Sequence, residues 1–356
     1  MHVAFRVDAS SVVGGGHAHR CLALADALRE RGANCLFVTR SSSTVLVPGL
    51  KRHDLIELSM DEPDSAVPRE LSLAMPSGVD WLVVDHYGLD SVFEEACRPW
   101  ARRILAVDDL ANRPHTADLL LDQTPGRVAD RYRGLLTPGC VVLLGADYAL
   151  LRAEFAMARP ESLHRRERSG DLERLLIAFG ASDPCNYAGE ALALVKAAGL
   201  HCRVDVVLGP RPRHGDAVRA LADHYPFAVE VFDGVDDMAA LLAAADLAIG
   251  AGGVAALERC CLGLPSLLVV LADNQRDNAS RLASEGAAHV LECASALVSP
   301  ASAAALRTLA QNGTERLKMP RAASRMCDGG GAPRVAARML AGQECMRRTI
   351  RRRTNP

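Results

Sequence analysis

The chain has 356 residues, of which 49% are hydrophobic and 24% charged, and this length predicts two domains because it exceeds what one core usually supports. A formal net charge of −2 gives no reason to expect nucleic acid as a partner, and the absence of an 18-residue apolar run or a signal-peptide pattern predicts a cytoplasmic protein without membrane insertion. The 11 cysteines are scattered without a C-x-x-C pair, which favours reduced thiols over a disulfide framework or a metal site.

Apolar runs of strand length alternate with longer amphipathic segments through residues 1–158. The helical spacing of "HRCLALADALRERG" follows directly on the first run. The strand-length runs are "HVAFRVD", "NCLFVT", "LIELS", "DWLVVDH", "RRILAVDD", "ADLLLDQ" and "CVVLLG". Because these runs lack polar alternation, we expect them to be buried on both faces of a parallel sheet. The βαβα order predicts a Rossmann-like, doubly wound α/β domain.

A charged segment with Pro, Gly and Ser interrupts this series. It predicts a surface linker over 159–172. A second Rossmann-like domain follows over 173–330, with "RLLIAFG", "CRVDVVLG", "FAVEVF", "DLAIGAGG", "PSLLVV" and "AAHVLE" as its strands. Two such α/β halves imply a ligand cleft between them. Residues 331–356 are predicted to form a C-terminal helix and a solvated, arginine-rich tail, with a docking site for an acidic partner as the alternative.

Three glycines, Gly14 to Gly16, follow the first strand and lead directly into His17. Glycine allows close backbone approach, and a helix start offers N–H groups to an anion. A dinucleotide fingerprint is disfavoured because its third glycine would fall on His19. The helix dipole disfavours the protonated imidazole, so His17 is predicted to be a neutral base rather than a cap. His19 lies about 200° further around the helix and is predicted to be structural.

Two more strands end in polar residues at the same predicted sheet edge. "VVDHYG" places Asp85, His86 and Tyr87 there, where His86 is either a hydrogen-bond partner or a second acid or base. "VDDL" places Asp108 and Asp109 beside them. That pair either orients a histidine or a sugar hydroxyl, or is a solvated loop pair. "SSST" at 41–44 reads as a polar loop.

The second half has corresponding strand–loop–helix corners. Gly180 and Ser182 follow one strand, and Gly252 and Gly253 follow another, with Glu258 on the next helix. The amides of Gly252 and Gly253 are predicted to hold a diphosphate, which places a ribose near the glutamate.

A third strand in this half ends in "ADNQ", which brings Asn274 and Gln275 to the same edge. Their amides suit sugar hydroxyl and acetamido groups, although the preceding Asp273 could serve only as a helix cap. These corners together predict a nucleotide-sugar site.

The segments "VVGGGHAHRCLALA", "VVDHYGLD", "VDDLANRPHTADLLLDQ", "LLGADYALLRAEF", "IAFGASDPCN" and "AIGAGGVAALERCCLGLPSLLVVLADNQRDNA" resemble the UDP-sugar hydrolase family of pseudaminic acid biosynthesis. The resemblance runs in order over residues 3–290. It implies the GT-B fold, in which two Rossmann-like domains face a cleft, and a relation to the MurG-like transferases. It also implies hydrolysis of UDP-2,4-diacetamido-2,4,6-trideoxy-β-L-altropyranose, without cofactor or metal, for nonulosonic acid synthesis and flagellin glycosylation. Other enzymes of that pathway are the protein partners it implies.

The resemblance also assigns roles to individual residues. His17 is the implied catalytic base. The implied sugar-binding residues are Gly15, Gly16, Asp85, His86, Tyr87, Asn274 and Gln275. The implied UDP-binding residues are Gly180, Ser182, Gly252, Gly253 and Glu258. The stretch from about Pro300 matches less well, and no role is carried over there.

Three other functions would use the same fold. A UDP-sugar glycosyltransferase would need an acceptor groove, and a UDP-sugar 2-epimerase would need acid and base groups beside C2. A non-enzymatic nucleotide-sugar-binding module would need no histidine in the glycine loop.

Overall fold

The computed structural model describes residues 1–61, 63–167 and 172–341, and its core is two entirely parallel sheets. The seven-stranded sheet has the order β3-β2-β1-β4-β5-β6-β7, and the six-stranded sheet has the order β10-β9-β8-β11-β12-β13. The strands are β1 His2–Val7, β2 Asn34–Arg40, β3 Asp54–Leu58, β4 Trp81–Asp85, β5 Ile104–Val107, β6 Leu119–Asp122, β7 Val141–Leu144, β8 Arg174–Ala178, β9 Arg203–Leu208, β10 Val229–Asp233, β11 Leu247–Ala251, β12 Ser266–Val269 and β13 His289–Leu291. Each coincides with one of the apolar runs in the sequence, so the predicted α/β fold is confirmed.

Helices connect the strands and cover both sheets. The α-helices are α1 Gly16–Arg29, α2 Ser41–Leu46, α3 Val67–Ala74, α4 Ser91–Cys97, α5 Ala153–Arg166, α6 Tyr187–Ala197, α7 Gly215–Ala222, α8 Met238–Ala244, α9 Val254–Cys261, α10 Arg276–Ser284, α11 Pro300–Gln311 and α12 Gly313–Met326. A further helix, α13, extends over 331–341. Among the described residues, no helix combines the length and apolarity needed to cross a bilayer.

Strand order reverses direction once in each sheet. In the first sheet the chain winds outward from β1 on one side and from β4 on the other, and in the second from β8 and β11. Loops that follow such a central pair diverge, which opens a crevice at the carboxyl ends of the strands. The glycine loop follows β1, "DHYG" ends β4, and the two C-terminal glycine corners follow β8 and β11. All four predicted motifs therefore stand at a topological switch point.

The segment predicted as a surface linker is largely helical. Helix α5 continues to Arg166, and both Ser162 and Arg166 are buried. The Arg166 guanidinium donates to the carbonyls of Leu262, Ala245 and Leu242, which fixes the helix to the second domain. The linker prediction was therefore wrong for 159–166, because this segment is helical and Arg159 and Arg166 donate to backbone carbonyls of the second half. Residues 168–171 lie outside the described residues.

Two other segments complete the architecture. Helix α13 returns to the first domain, where Val335, Ala336 and Met339 pack in the core against β1 and α1. The arginine-rich tail from 342 lies outside the described residues. "SSST" forms the start of α2 instead of a loop, and Ser43 Oγ accepts from the Ala9 N–H at 2.8 Å. That bond anchors the chain just before the glycine loop.

Candidate functional site

A cavity of about 1710 Å³ lies between the two domains and is lined by both. The glycine loop of the first domain meets the loop after β8 there. A Cβ added at Gly15 would lie 3.1 Å from Ala181 Cβ and 3.1 Å from Val47 Cγ2, so a side chain here would crowd both neighbours. Gly14 has φ +81°, a conformation that side chains disfavour.

Most of the residues singled out from the sequence line this one cavity. They are Gly15, Gly16, His17, Tyr87, Gly180, Ser182, Gly252, Gly253, Glu258, Asn274 and Gln275. Asp85 and His86 stand apart from the lining and have different surroundings.

Asp85 lies behind His17 and is fully shielded from solvent. Its Oδ1 is 2.5 Å from His17 Nδ1, and the His17 side chain is 8% exposed toward the cavity. Burial opposes ionisation of Asp85, but the charge of Arg20 and the contact with His17 outweigh it and hold the pKa of this carboxyl below its usual range. With its oxygens engaged, Asp85 orients the histidine, and its implied role in sugar binding is corrected.

Arg20, which the sequence reading missed, completes this cluster. Its Nε and Nη2 each donate to Asp85 at 2.6 Å, and its Nη1 donates to Asp109 at 3.0 Å. The side chain is 2% exposed. The available signal was spacing: residues three apart on a helix share a face, so Arg20 had to follow His17 into the domain.

His86 lies on the opposite face of the first sheet from Asp85. Its Nε2 is 3.6 Å from Asp8 Oδ2, and its Nδ1 accepts from the Gly88 N–H at 3.1 Å. Burial, and next the charge of Arg6, lowers its pKa. His86 follows the last residue of β4, and its ring lies against Asp8 rather than on the cavity wall. The implied sugar contact of His86 is therefore corrected.

Tyr87 and Asn274 connect the two domains over the histidine. The Asn274 side-chain amide donates to the Tyr87 hydroxyl at 2.7 Å, and the Tyr87 ring meets the His17 ring edge-on at 4.5 Å between centroids. Gln275 Oε1 accepts from the Leu271 N–H at 3.1 Å, which directs its amino group away from that turn. The implied sugar-binding residues of the two halves thus face one another.

Two helix N-termini converge at the cavity. Helix α1 begins at Gly16 and α9 at Val254, and a Cβ on Gly16 would lie 3.9 Å from Val254 Cγ2. The Gly252 N–H donates to Val269 O at 3.1 Å, so the prediction that this amide holds a phosphate is corrected. The N–H groups that precede the first helical hydrogen bond of α9, donated by Ala256, belong to Gly253, Val254 and Ala255, so the predicted role of the Gly253 amide stays a prediction. Both helix dipoles favour an anion at this point.

Glu258 lines the cavity beside a basic residue. Burial raises the pKa of its carboxyl, and the charge of Arg152 partly opposes that shift. His19 also lines the cavity, which corrects its prediction as a residue that points elsewhere. Burial, and next the charge of Arg152, lowers the pKa of His19 to about 4, so this imidazole is neutral.

The His, Cys, Asp and Glu side chains of the described residues do not form a metal site. Within 1–61, 63–167 and 172–341, no cluster of three or more His, Cys, Asp or Glu side chains has the arrangement of a metal site.

Comparison with known proteins agrees with the two-domain geometry. Residues 200–330 match the glycosyltransferase family 28 C-terminal domain. The crystal structure of Acinetobacter baumannii MurG superposes with a TM-score of 0.68 at 17% identity, over 96% of this chain and 99% of that one. The chain has a GT-B fold.

Curated relatives match at low identity. The protein MJ1062 of Methanocaldococcus jannaschii is 26% identical over 78% of this chain, and the spore coat polysaccharide biosynthesis protein SpsG of Bacillus subtilis is 24% identical over 95%. The UDP-2,4-diacetamido-2,4,6-trideoxy-beta-L-altropyranose hydrolase of Campylobacter jejuni is 31% identical over 53%. The matches span 57%, 97% and 63% of those three proteins, respectively.

Proposed function

We propose that this protein hydrolyses a UDP-sugar at its anomeric carbon, with UDP-2,4-diacetamido-2,4,6-trideoxy-β-L-altropyranose as the substrate. The observation that carries the proposal is the buried Asp85 behind His17, at the point where two helix N-termini meet. The partial similarity to the Campylobacter jejuni hydrolase supports the choice of sugar.

His17 is the proposed general base. An ionised Asp85 accepts the proton on His17 Nδ1, which leaves Nε2 as the basic ring nitrogen. Arg20 holds Asp85 through two hydrogen bonds and thereby fixes the orientation of the imidazole. A base in this arrangement contributes about 10²–10⁴-fold to a proton-transfer step.

The reaction balances without a further group. Water attacks C1, its proton passes to His17 Nε2, and a C1–O bond forms with inversion. The bond from C1 to the phosphate oxygen breaks, and UDP leaves with the electron pair. The first-turn N–H groups of α1 and α9 face the developing charge of the diphosphate, where preorganised dipoles are most effective. Glu258 would accept hydrogen bonds from the ribose hydroxyls.

A UDP-sugar glycosyltransferase is the second candidate, because residues 200–330 match a glycosyltransferase domain. In that reaction His17 would deprotonate an acceptor hydroxyl instead of water. The UDP site would be unchanged, so the acceptor alone separates the two candidates.

The deciding experiment follows the purified full chain by proton NMR with the UDP-diacetamido sugar and one stereoisomer, without and with candidate acceptors. We expect equimolar UDP and free sugar without acceptor, with the inverted anomer formed first. UDP release that requires an acceptor would support the transferase, and an epimerised UDP-sugar would contradict both.

The matching variant is His17→Asn. We expect kcat to fall by about 10²–10⁴-fold while UDP affinity, measured by calorimetry, stays unchanged. Near-normal turnover in this variant would remove His17 from the reaction.

A further inference from the structure

Asp109 is a carboxylate on the cavity wall with only half of its hydrogen-bonding capacity used. Its Oδ2 accepts from Arg20 Nη1 at 3.0 Å. Its Oδ1 is shielded from solvent and, within the described part of the chain, has no hydrogen-bond partner. The side chain is 17% exposed and lines the cavity together with His17 and Tyr87. A buried carboxylate oxygen without a donor is costly, so this position favours a ligand that brings one.

We propose that Asp109 is a specificity-determining residue whose Oδ1 accepts a hydrogen bond from an N–H or O–H donor of the bound sugar. This inference rests on the proposed UDP-sugar ligand but not on its hydrolysis. The donors of such a sugar are the acetamido N–H groups and a ring hydroxyl. Arg20 donates hydrogen bonds both to Asp109, the proposed sugar contact, and to Asp85, which contacts His17. One guanidinium therefore links the sugar contact to the proposed base.

The surroundings of Asp109 support a role in recognition. Arg20 Nη1 lies 3.0 Å from Asp109 Oδ2, so this partly buried carboxyl group is paired with a positive charge. Tyr87, its neighbour on the cavity wall, has a pKa raised by burial and next by the charge of Asp109. A sugar that places a donor beside Asp109 Oδ1 satisfies this acceptor. A sugar without that donor leaves the oxygen unpaired and therefore binds more weakly.

Asp109→Asn tests the inference with almost no change in shape. Arg20 Nη1 requires an acceptor, so the asparagine oxygen turns toward Arg20 and the amino group turns toward the sugar. The variant therefore replaces an acceptor by a donor. We expect the affinity for the UDP-diacetamido sugar to fall about 10- to 100-fold, while the affinity for UDP stays within about twofold. Unchanged UDP binding also shows that the variant is folded.

Substrate analogues provide a test that needs no variant. Two analogues each replace one of the two acetamido groups by an O-acetyl ester, which removes that N–H, and a third analogue removes the ring hydroxyl. The wild-type protein should bind one of these analogues about 10- to 100-fold more weakly than the parent sugar, and Asp109→Asn should not distinguish that analogue from the parent.

The outcomes separate this inference from the proposed reaction. The deciding quantity is the ratio of the affinity for UDP-sugar to the affinity for UDP. The same ratio in the wild-type protein and in Asp109→Asn would overturn the role of Asp109. Equal affinity of the wild-type protein for the parent and for every analogue would also overturn it. A wild-type protein that shows the expected binding pattern but releases no UDP would leave Asp109 in its role and remove only the hydrolysis. Asp216→Asn, at a fully exposed carboxylate, is the matched control.

Discussion

His17 Nδ1 and Asp85 Oδ1 lie 2.5 Å apart, although 68 residues separate them in the chain. One residue lies in the first turn of a helix and the other ends a strand of the same domain. In the proposed mechanism, this contact keeps the proton on Nδ1 and leaves Nε2 as the basic nitrogen. The chemistry proposed for the cleft depends on this pair more than on either residue alone.

Asp85→Asn should lower kcat by about 10³–10⁴-fold with little effect on UDP affinity. Asparagine offers one oxygen where Asp85 now serves four donors: Arg20 Nε, Arg20 Nη2, His17 Nδ1 and, at 3.5 Å, Cys21 Sγ. Its amino group would then face the imidazole and move the proton to Nε2, the wrong nitrogen for a base. Steady-state kinetics and calorimetry measure the two effects. Normal turnover would show that Asp85 has only a structural role, and Asp216→Asn again serves as the control.

The hydrogen bond between Asn274 and Tyr87 should contribute to binding of the UDP-sugar, because it joins the two domains over His17. A double-mutant cycle with Tyr87→Phe and Asn274→Ala should give a coupling free energy of about 1 kcal/mol in calorimetric affinities.

The control for that cycle pairs Tyr87→Phe with Asp273→Ala, since Asp273 is 94% exposed and lies on the same turn. Those two changes should be additive. Additivity in the Tyr87–Asn274 cycle would contradict a contact between the domains in the bound state.

His115 should make stability depend on pH above neutrality. Its Nδ1 is 2.6 Å from Glu94 Oε1 and its Nε2 is 3.8 Å from Asp108 Oδ2. Burial alone would lower its pKa, but the negative charges of Asp108 and Glu94, together with the hydrogen bond to Glu94, outweigh it and raise the pKa to about 9. A raised pKa means that the protonated form stabilises the fold. This contribution is complete below the ordinary pKa of 6.5 and is lost as the pH rises through about 9.

The measurement is urea unfolding of the wild-type protein and of His115→Gln at about pH 6 and about pH 9.5. At the lower pH, we expect the wild-type protein to have a larger free energy of unfolding than His115→Gln. This difference between the two proteins should shrink at the higher pH. A difference that stays constant between the two pH values would contradict a protonated His115 in the folded state.

The strands were predictable because the central parallel strands, such as β4, β5, β6 and β12, are buried along their whole length and therefore read as apolar runs. The helical, packed state of the charged segment before β8 was not predictable from the sequence. The partners of Arg166 are carbonyls of residues 76 to 96 positions away in the chain. A local pattern of charge does not distinguish an arginine in solvent from one that caps distant backbone groups.

The amino-acid sequence by itself determined two Rossmann-like halves and brought His17, Tyr87, Asn274 and the glycine corners to the carboxyl ends of their strands. Periodicity and turn residues are local properties, so they suffice for that much. Only the tertiary structure decided that Asp85 serves the histidine, that His86 faces the opposite side of the sheet, and that Arg20 joins Asp85 to Asp109. Those assignments depend on which residues from distant parts of the chain come within hydrogen-bonding distance, and that is a property of the packed domain.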